Sequence, residues 1–160
     1  MGADVEVRIA GAADLDALLR LAAAFRDHIG RMTPSDADFR AAIATLLQDS
    51  STEFFLARRE LATCGYVQCR YRYSAWSATL EAELEDVFVV RQARRHGVGS
   101  RLVEFAIVRA RARGCRSIGL NTNERNADAL ALYERLGFRA ERAQWDGGRQ
   151  LWLEKPIGAQ

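Results

Sequence analysis

A basic, glycine-spaced turn is the part of this chain whose residue types are best suited to chemistry. Arg94, Arg95, Gly97 and Gly99 follow the apolar run Val-Phe-Val-Val at 87–90, and a long amphipathic stretch begins directly behind them. Glycine accepts positive φ and lets a ligand approach the backbone without a Cβ in the way. The N–H groups at a helix start bind anions. The spacing therefore predicts a phosphate-binding turn between a buried strand and a helix.

Two common phosphate loops do not fit this turn. A P-loop needs a lysine directly after its second glycine, but Gly99 is followed by Ser100 and Arg101. The dinucleotide-binding fingerprint needs a third glycine three residues after the second, and Leu102 holds that position. What remains is an Arg-x-x-Gly-x-Gly turn that begins at Arg94, with a strand before it and a helix behind it.

Carboxylates alternate along the predicted strand that leads into this turn. Period-two geometry places Glu81, Glu83 and Glu85 on one face of the strand and Asp86 on the opposite face. An ammonium must lose a proton before its nitrogen can attack a carbonyl, and a carboxylate can take that proton and attract the cation. The alternative is an exposed or salt-bridged strand face.

A second group of residues lies on a predicted helix further along the chain. Asn126 is suited to cap the first N–H groups of this helix. Tyr133 follows about two turns later, roughly on the face of Asn126 and Ala129. Gly137 ends the helix and Phe138 begins the next strand. Taken alone, the pattern is typical of a capped helix with an aromatic core residue.

The elements that must position these residues alternate along the chain. Ser35 and Asp38 form a capping arrangement for one of the helices. The patterns predict strands at 5–9, 54–59, 63–73, 80–90 and 118–121, a closing hairpin of 138–143 with 150–154, and helices beginning at residue 14 and spanning 35–47, 100–113 and 126–136. At 160 residues, without repeats or linkers, the chain is expected to form a single domain, 1–160.

Composition limits the function classes. With 49% hydrophobic and 28% charged residues, the chain is typical of a soluble globular protein, and a net charge of +2 gives no reason to expect nucleic-acid binding. No apolar run suggests a signal peptide or a membrane span. Cys64, Cys69 and Cys115 form no Cys-x-x-Cys pair, which indicates reduced thiols and a cytoplasmic location. His28 and His96 have no partner at ligand spacing, so no metal site is expected.

The strand, the turn and the helix behind it resemble the GNAT superfamily of N-acetyltransferases, whose Arg/Gln-x-x-Gly-x-Gly/Ala turn holds the pyrophosphate of coenzyme A. The resemblance covers nearly the whole chain. It implies an α/β fold with a central, mostly antiparallel sheet that is flanked by helices and splays beside the turn. It also implies acetyl-CoA as cosubstrate, with backbone groups of the strand pairing with pantetheine. The implied cofactor-binding residues are Val87, Phe88, Val89, Arg94, Arg95, His96, Gly97, Val98, Gly99, Ser100, Asn126 and Tyr133.

The resemblance also implies roles in catalysis. Tyr133 would be the general acid that protonates the departing thiolate, and Glu85 is the candidate base. No cysteine or serine stands in a nucleophile setting, so transfer would be direct, without a covalent enzyme intermediate. A peptide or protein N-acetyltransferase and a non-catalytic acyl-CoA sensor are the alternatives.

Part of the chain is similar to the diamine (spermidine/spermine) N-acetyltransferase branch, which implies a small, cationic, polyamine-like acceptor. The acid-rich substrate-binding elements of that branch are not evident at 26–36. Trp145 and Trp152 flank the predicted final hairpin, where they could line the substrate entrance or contact a second subunit in a homodimer. The matching residues are Gly65-Tyr66, Tyr71, Tyr73, Trp76, the segment 84–89 (Leu-Glu-Asp-Val-Phe-Val) and the turn 97–100.

Overall fold

The computed structural model describes residues 4–140 and 151–158. Its strands form one sheet in the order β1-β2-β3-β4-β5, antiparallel except for the parallel pair β4 and β5. The mixed, mostly antiparallel α/β fold is therefore confirmed. The strands are β1 (Val5–Ile9), β2 (Thr52–Arg59), β3 (Ala62–Ser74), β4 (Thr79–Val89) and β5 (Cys115–Leu120), and the helices are α1 (Leu15–His28), α2 (Asp36–Leu46), α3 (Val98–Ala112) and α4 (Ala127–Arg135).

Helices cover both faces of the sheet and divide the core in two. Helix α3 buries apolar residues at helical spacing against the face that carries Val67 and Leu84. Helices α1 and α2 pack Leu18 and other apolar residues against the opposite face, around Tyr66 and Phe88. Strand β4 is thus sandwiched where it runs toward the turn.

The predicted helix after the turn is confirmed, with a start two residues earlier than residue 100. Gly97 has a φ of +78° and precedes the first residue, Val98. Gly114, with a φ of +85°, follows the helix at its other end. The cap predicted for the second helix is also confirmed, because the side chain of Ser35 accepts a hydrogen bond from the N–H of Asp38 at 3.1 Å.

A β-bulge interrupts β4 at Glu85. Cys69 of β3 pairs with Leu84, and Gln68 pairs with Asp86, so Glu85 is an extra residue without a partner on β3. Period two therefore fails across this point of the strand.

The bulge corrects the predicted placement of Asp86. Leu84 packs on the α3 side of the sheet, whereas Phe88, four residues later, packs on the α1 side. Asp86 lies two residues before Phe88 and shares its face, which is also the face of Glu81 and Glu83. The prediction that Asp86 lies opposite the glutamates was wrong, because an extra residue reverses the alternation.

The pairing of β4 with β5 ends before β4 reaches the turn. Their paired residues run from Leu80 with Cys115 to Leu84 with Leu120. In the described chain, the residues of β4 from Asp86 onward pair with β3 only. A splay of the sheet beside the turn stays a prediction.

The predicted C-terminal hairpin is not seen where the structure describes its ends. Residues 138–140 and 151–154 are in no strand, and residues 141–150, which include Trp145, lie outside the described residues. The N–H of Phe138 donates to the carbonyl of Tyr133 at 2.9 Å, so it closes α4 instead of entering a strand ladder. Trp152 is exposed.

Candidate functional site

The turn behind β4 presents backbone N–H groups outward. A short 3₁₀ turn, Arg91–Ala93, follows the strand, and α3 begins after the left-handed Gly97. The first hydrogen bond of this helix joins the N–H of Arg101 to the carbonyl of Gly97 at 3.0 Å. The N–H groups of residues 98–100 therefore have no acceptor within the helix and point out of its positive end, as an anion site requires.

The two glycines of the turn have different roles. No described atom lies within 4 Å of the position that a Cβ would take at Gly97, so this part of the turn is open, and its positive φ disfavours other residues. A Cβ at Gly99 would lie 3.3 Å from Cδ2 of Leu132, so Gly99 lets α4 pack closely against the turn.

The arginines of the turn also differ. The Nε of Arg94 donates to the carbonyl of Val89 at 2.9 Å, and the guanidinium lies 5.9 Å from the ring centre of Phe88. Its Nη2 is 3.3 Å from Nε2 of His28 on α1. Arg94 thus fastens the end of β4. Arg95 has a φ of +63° and extends into solvent, with 86% of its side chain exposed. Its Nη2 lies 3.7 Å from Oδ2 of Asp128. His96 is exposed beside Arg95.

The edge of β4 that faces away from β3 leads into this turn. Beyond Leu84 it has lost its partner β5. The N–H of Val90 donates to the carbonyl of Cys64 on β3 at 2.9 Å, so by alternation the backbone groups of Val87 and Val89 face this edge and those of Phe88 face β3. The carbonyl of Val89 also accepts from Arg94. The side chain of Phe88 is buried and stacked on Phe25 at 5.1 Å. An extended ligand can add here as a strand would.

Helix α4 brings an aromatic hydroxyl to the core beside α3. The Oδ1 of Asn126 accepts from the N–H of Ala129 at 3.3 Å, as a cap does. Tyr133 is 9% exposed and packs edge-on against Phe138 at 5.7 Å. Burial raises the pKa of the Tyr133 phenol, so it stays protonated at neutral pH and can donate a proton.

Glu85 projects from the bulge among polar groups of β3. Its Oε1 lies 3.1 Å from Nε of Arg70, and its Oε2 accepts a hydrogen bond from Nε2 of Gln68. Burial raises the pKa of Glu85, Arg70 and Gln68 work against that shift, and the neighbouring Glu83 and Asp86 add to it. A carboxylate with a raised pKa is better matched to a general base than an ordinary glutamate.

No pattern in the sequence indicated the role of Asp86. Its Oδ2 accepts a hydrogen bond from the Tyr66 hydroxyl at 2.9 Å. Burial raises the pKa of Asp86, and the hydrogen bond from Tyr66 offsets part of that rise. Only the pairing of β3 with β4, shifted by the bulge, reveals this contact. A second carboxylate therefore stands directly beside Glu85.

We expect Asp86→Asn to raise the melting temperature at pH 7. A raised pKa means that the native state binds the Asp86 proton more tightly than the unfolded chain, so stability is lost as the pH rises through that pKa. Asparagine is neutral and still accepts from Tyr66. Thermal unfolding between pH 4 and pH 8 measures this, and the gain should shrink toward the acid end.

Tyr66→Phe is the matched control for this prediction. It leaves the Asp86 carboxylate without its phenol donor and should cost about 1–3 kcal/mol at pH 7. A lower melting temperature for Asp86→Asn than for the wild type at pH 7 would show that the charged carboxylate contributes stability.

Two arginines near the end of α3, Arg109 and Arg113, are committed to structure. Arg109 and Arg113 bind the carboxylate of Glu53 at 2.6 and 3.1 Å, and the Arg113 guanidinium lies 4.0 Å from the ring centre of Tyr71. The Tyr71 hydroxyl donates to the same carboxylate at 2.8 Å. These two arginines fasten α3 to β2 and β3 and are not available to an anionic ligand.

Residues 4–140 and 151–158 contain no cluster of three or more His, Cys, Asp or Glu side chains that could hold a metal ion. None of their helices combines the length and the apolar character that crossing a membrane requires.

Comparison with known proteins places this geometry in a family. The model of the acetyltransferase (GNAT) family matches residues 15–138. An uncharacterized N-acetyltransferase of Methanocaldococcus jannaschii is 31% identical over 97 residues, which cover 58% of this chain and 42% of that protein. An aminoalkylphosphonate N-acetyltransferase of Salmonella typhimurium is 28% identical over 101 residues, covering 63% of this chain and 66% of that protein. The chain thus spans between about two fifths and two thirds of the length of these relatives.

Solved structures share the fold. An aminoglycoside N-acetyltransferase in complex with CoA superposes with a TM-score of 0.78 at 20% sequence identity, over 97% of each chain. At this identity the likeness establishes the fold alone.

Proposed function

The chain belongs to the acetyltransferase (GNAT) family, and from this premise we propose that it transfers the acetyl group of acetyl-CoA directly to a primary amine of a small acceptor. The observation that carries the proposal is the edge of β4 at Val87–Val89, which no strand of the described residues pairs and which leads into the N–H groups at the start of α3. A ligand with an extended amide arm and a diphosphate is complementary to both features.

The described residues fit coenzyme A. The diphosphate would lie over the N–H groups of residues 98–100, with the open backbone at Gly97 and the exposed side chains of Arg95 and His96 beside it. The pantetheine arm would pair with Val87–Val89, and the side-chain amide N–H groups of Asn126 remain able to donate while its oxygen caps α4. Bound acetyl-CoA supplies a thioester carbonyl that an amine can attack.

Glu85 and Tyr133 divide the proton transfers. Glu85 takes a proton from the acceptor ammonium, directly or through a water molecule, so that the nitrogen lone pair is free to form the new C–N bond. As the C–S bond breaks, the Tyr133 hydroxyl gives its proton to the sulfur. The nitrogen loses its second proton to solvent as the amide forms, and Tyr133 recovers one proton from solvent. The overall products are the N-acetyl amine, the free thiol and one proton.

The acceptor is proposed to be small and cationic at its reacting amine. Glu81, Glu83, Glu85 and Asp86 share one face of β4, where their combined charge attracts an ammonium. The name of one relative, an aminoalkylphosphonate N-acetyltransferase, also indicates a small amine as its acceptor. A peptide acceptor is the competing substrate class, and a non-catalytic acyl-CoA sensor is the competing function.

Acetyl-CoA consumption across a panel of amines tests the proposal. Release of thiol is measured with polyamines, aminoglycosides, amino acids, aminoalkylphosphonates and peptides. Turnover with small amines and none with peptides is expected. Tight acetyl-CoA binding without thiol release from any acceptor would identify a sensor instead.

Glu85→Gln should lower kcat/KM for the best amine by about ten- to ten-thousand-fold while acetyl-CoA affinity changes little. The glutamine keeps the shape but cannot take a proton. For an acceptor whose only charge is its ammonium, wild-type kcat/KM should also fall as salt rises, because steering of a cation toward the carboxylates of β4 is screened beyond about 10 Å at 0.1 M. Glu104→Gln on the outer surface of α3 is the matched control for loss of one negative charge. Equal kcat/KM in Glu85→Gln and wild type at every pH would remove Glu85 from the mechanism.

A further inference from the structure

The face of the sheet that carries Glu81, Glu83 and Glu85 also carries arginines. Helices α1 and α2 cover its half around Phe54, Leu56, Tyr66 and Phe88. Beyond that cover, β3 and β4 continue as a hairpin whose polar side chains stay at least partly exposed to solvent. They are Gln68, Arg70, Arg72, Glu81, Glu83 and Glu85.

Cross-strand register sets acids and arginines side by side. Arg70 lies opposite Glu83, and Arg72 lies opposite Glu81. The bulge then turns Glu85 back toward β3, where its carboxylate contacts Arg70 instead of standing alone. The carboxylate proposed as the base therefore has a guanidinium as its immediate neighbour.

Both side chains of this ion pair are partly exposed to solvent. The Arg70 side chain is 47% exposed and the Glu85 side chain 29% exposed, with Nε and Oε1 3.1 Å apart. The contact uses Nε, so the two terminal nitrogens of the guanidinium still have donors to offer. An exposed pair of this kind contributes little to stability, so its charges are available for recognition.

Resting on the proposed function, we infer that the acceptor is a zwitterion with a carboxylate or phosphonate a few bonds from its primary amine, and that Arg70 selects it. Because the guanidinium and the carboxylate are in contact, the ligand charges that complement them must also be close together. An ammonium at Glu85 and an anion at Arg70 make a closed ring of alternating charge. A diamine would instead bring a second cation against the guanidinium, which costs affinity.

Arg72 provides a matched control. It lies two residues farther toward the hairpin end, is 72% exposed, and approaches Glu81 only to 3.6 Å. It has the same charge and the same face but no contact with Glu85. Substitution there tests general electrostatics without touching the pair.

Four acceptors of similar size distinguish a preference for a zwitterion from a preference for a cation. They are 2-aminoethylphosphonate, β-alanine, 1-propylamine and 1,3-diaminopropane. Wild-type kcat/KM should be at least about tenfold higher for one of the two zwitterions than for propylamine, and lowest for the diamine. The order of phosphonate and carboxylate identifies the anion.

Arg70→Gln should lower the ratio of kcat/KM for the preferred zwitterion to that for propylamine by about ten- to a hundredfold, the range that a charge-assisted hydrogen bond supplies. The loss should lie mainly in KM. Arg70→Lys should restore part of the ratio, and Arg72→Gln should change it by less than about threefold. Calorimetric acetyl-CoA binding and the melting temperature of each variant verify that it is folded.

Two results would overturn the inference and leave the acetyltransferase proposal standing. One is a wild-type enzyme whose kcat/KM for the diamine or for propylamine equals its kcat/KM for the better zwitterion. The other is an unchanged zwitterion ratio in a folded Arg70→Gln variant. Failure of the proposed function has a different signature, namely no thiol release with any acceptor of the wider panel, these four amines included.

Discussion

Replacement of Tyr133 by phenylalanine is expected to lower kcat by about ten- to ten-thousand-fold while acetyl-CoA affinity stays within a few-fold of the wild-type value. The change removes one hydroxyl from a ring whose packing against Phe138 and the α3-side core is otherwise kept. Burial raises the pKa of this phenol, so the wild-type group is protonated at neutral pH and can donate to a departing thiolate. Steady-state kinetics with the preferred amine, together with calorimetric binding of acetyl-CoA, measure both quantities.

Tyr71→Phe is the control for this substitution. Tyr71 is also a buried tyrosine on the α3 side, but its hydroxyl donates to Glu53 in the arginine cluster. Its loss should lower stability and leave kcat close to that of the wild type. If Tyr133→Phe turned over as fast as the wild type, the thiolate would have to leave unaided or take its proton from water.

Gly97→Val is expected to abolish measurable acetyl-CoA binding in a protein that remains folded. Gly97 has a φ of +78°, which a β-branched residue strongly disfavours, so the turn would reorganise and redirect the N–H groups that follow it. The side chain would also occupy the open space through which a phosphate approaches the backbone. Isothermal calorimetry with acetyl-CoA and thermal unfolding test the two halves of the expectation.

The same helix offers a matched control for backbone strain. Gly114 has a φ of +85° at the opposite end of α3, and no described atom lies within 4 Å of its Cβ position. Gly114→Val should therefore cost similar stability but keep acetyl-CoA affinity. Gly99→Asp should also weaken binding, although there the new Cβ presses on Leu132 as well. Affinity in Gly97→Val within a few-fold of the wild type would remove the cofactor assignment from this turn.

The turn and its flanking elements were predictable from the sequence because their signals are local. The apolar run at 87–90 and the two glycines each act within a few residues of their own position. The period of the following segment specifies α3 for the same reason, since a helix closes its hydrogen bonds four residues apart. Asn126 and Tyr133 were placed on one capped helix by the same kind of evidence.

The surroundings of Glu85 were not predictable in this way. Alternation put Asp86 on the wrong face, because the bulge exists only in the register between β3 and β4. The contacts of Glu85 with Arg70 and of Asp86 with Tyr66 join residues 15 to 20 positions apart, and no spacing along the chain indicates them.

By itself, then, the sequence determined the glycine-spaced turn, the helix behind it, the capped helix that carries Tyr133 and the family resemblance. The tertiary structure alone decided that Asp86 shares the face of the glutamates, which arginines are bound to Glu53, and that Glu85 has a cationic neighbour. Helix and turn signals depend on contacts within about four residues, whereas strand register and bulges depend on a partner strand. A single substitution in that partner leaves the local pattern intact and still changes the charges that an acceptor meets.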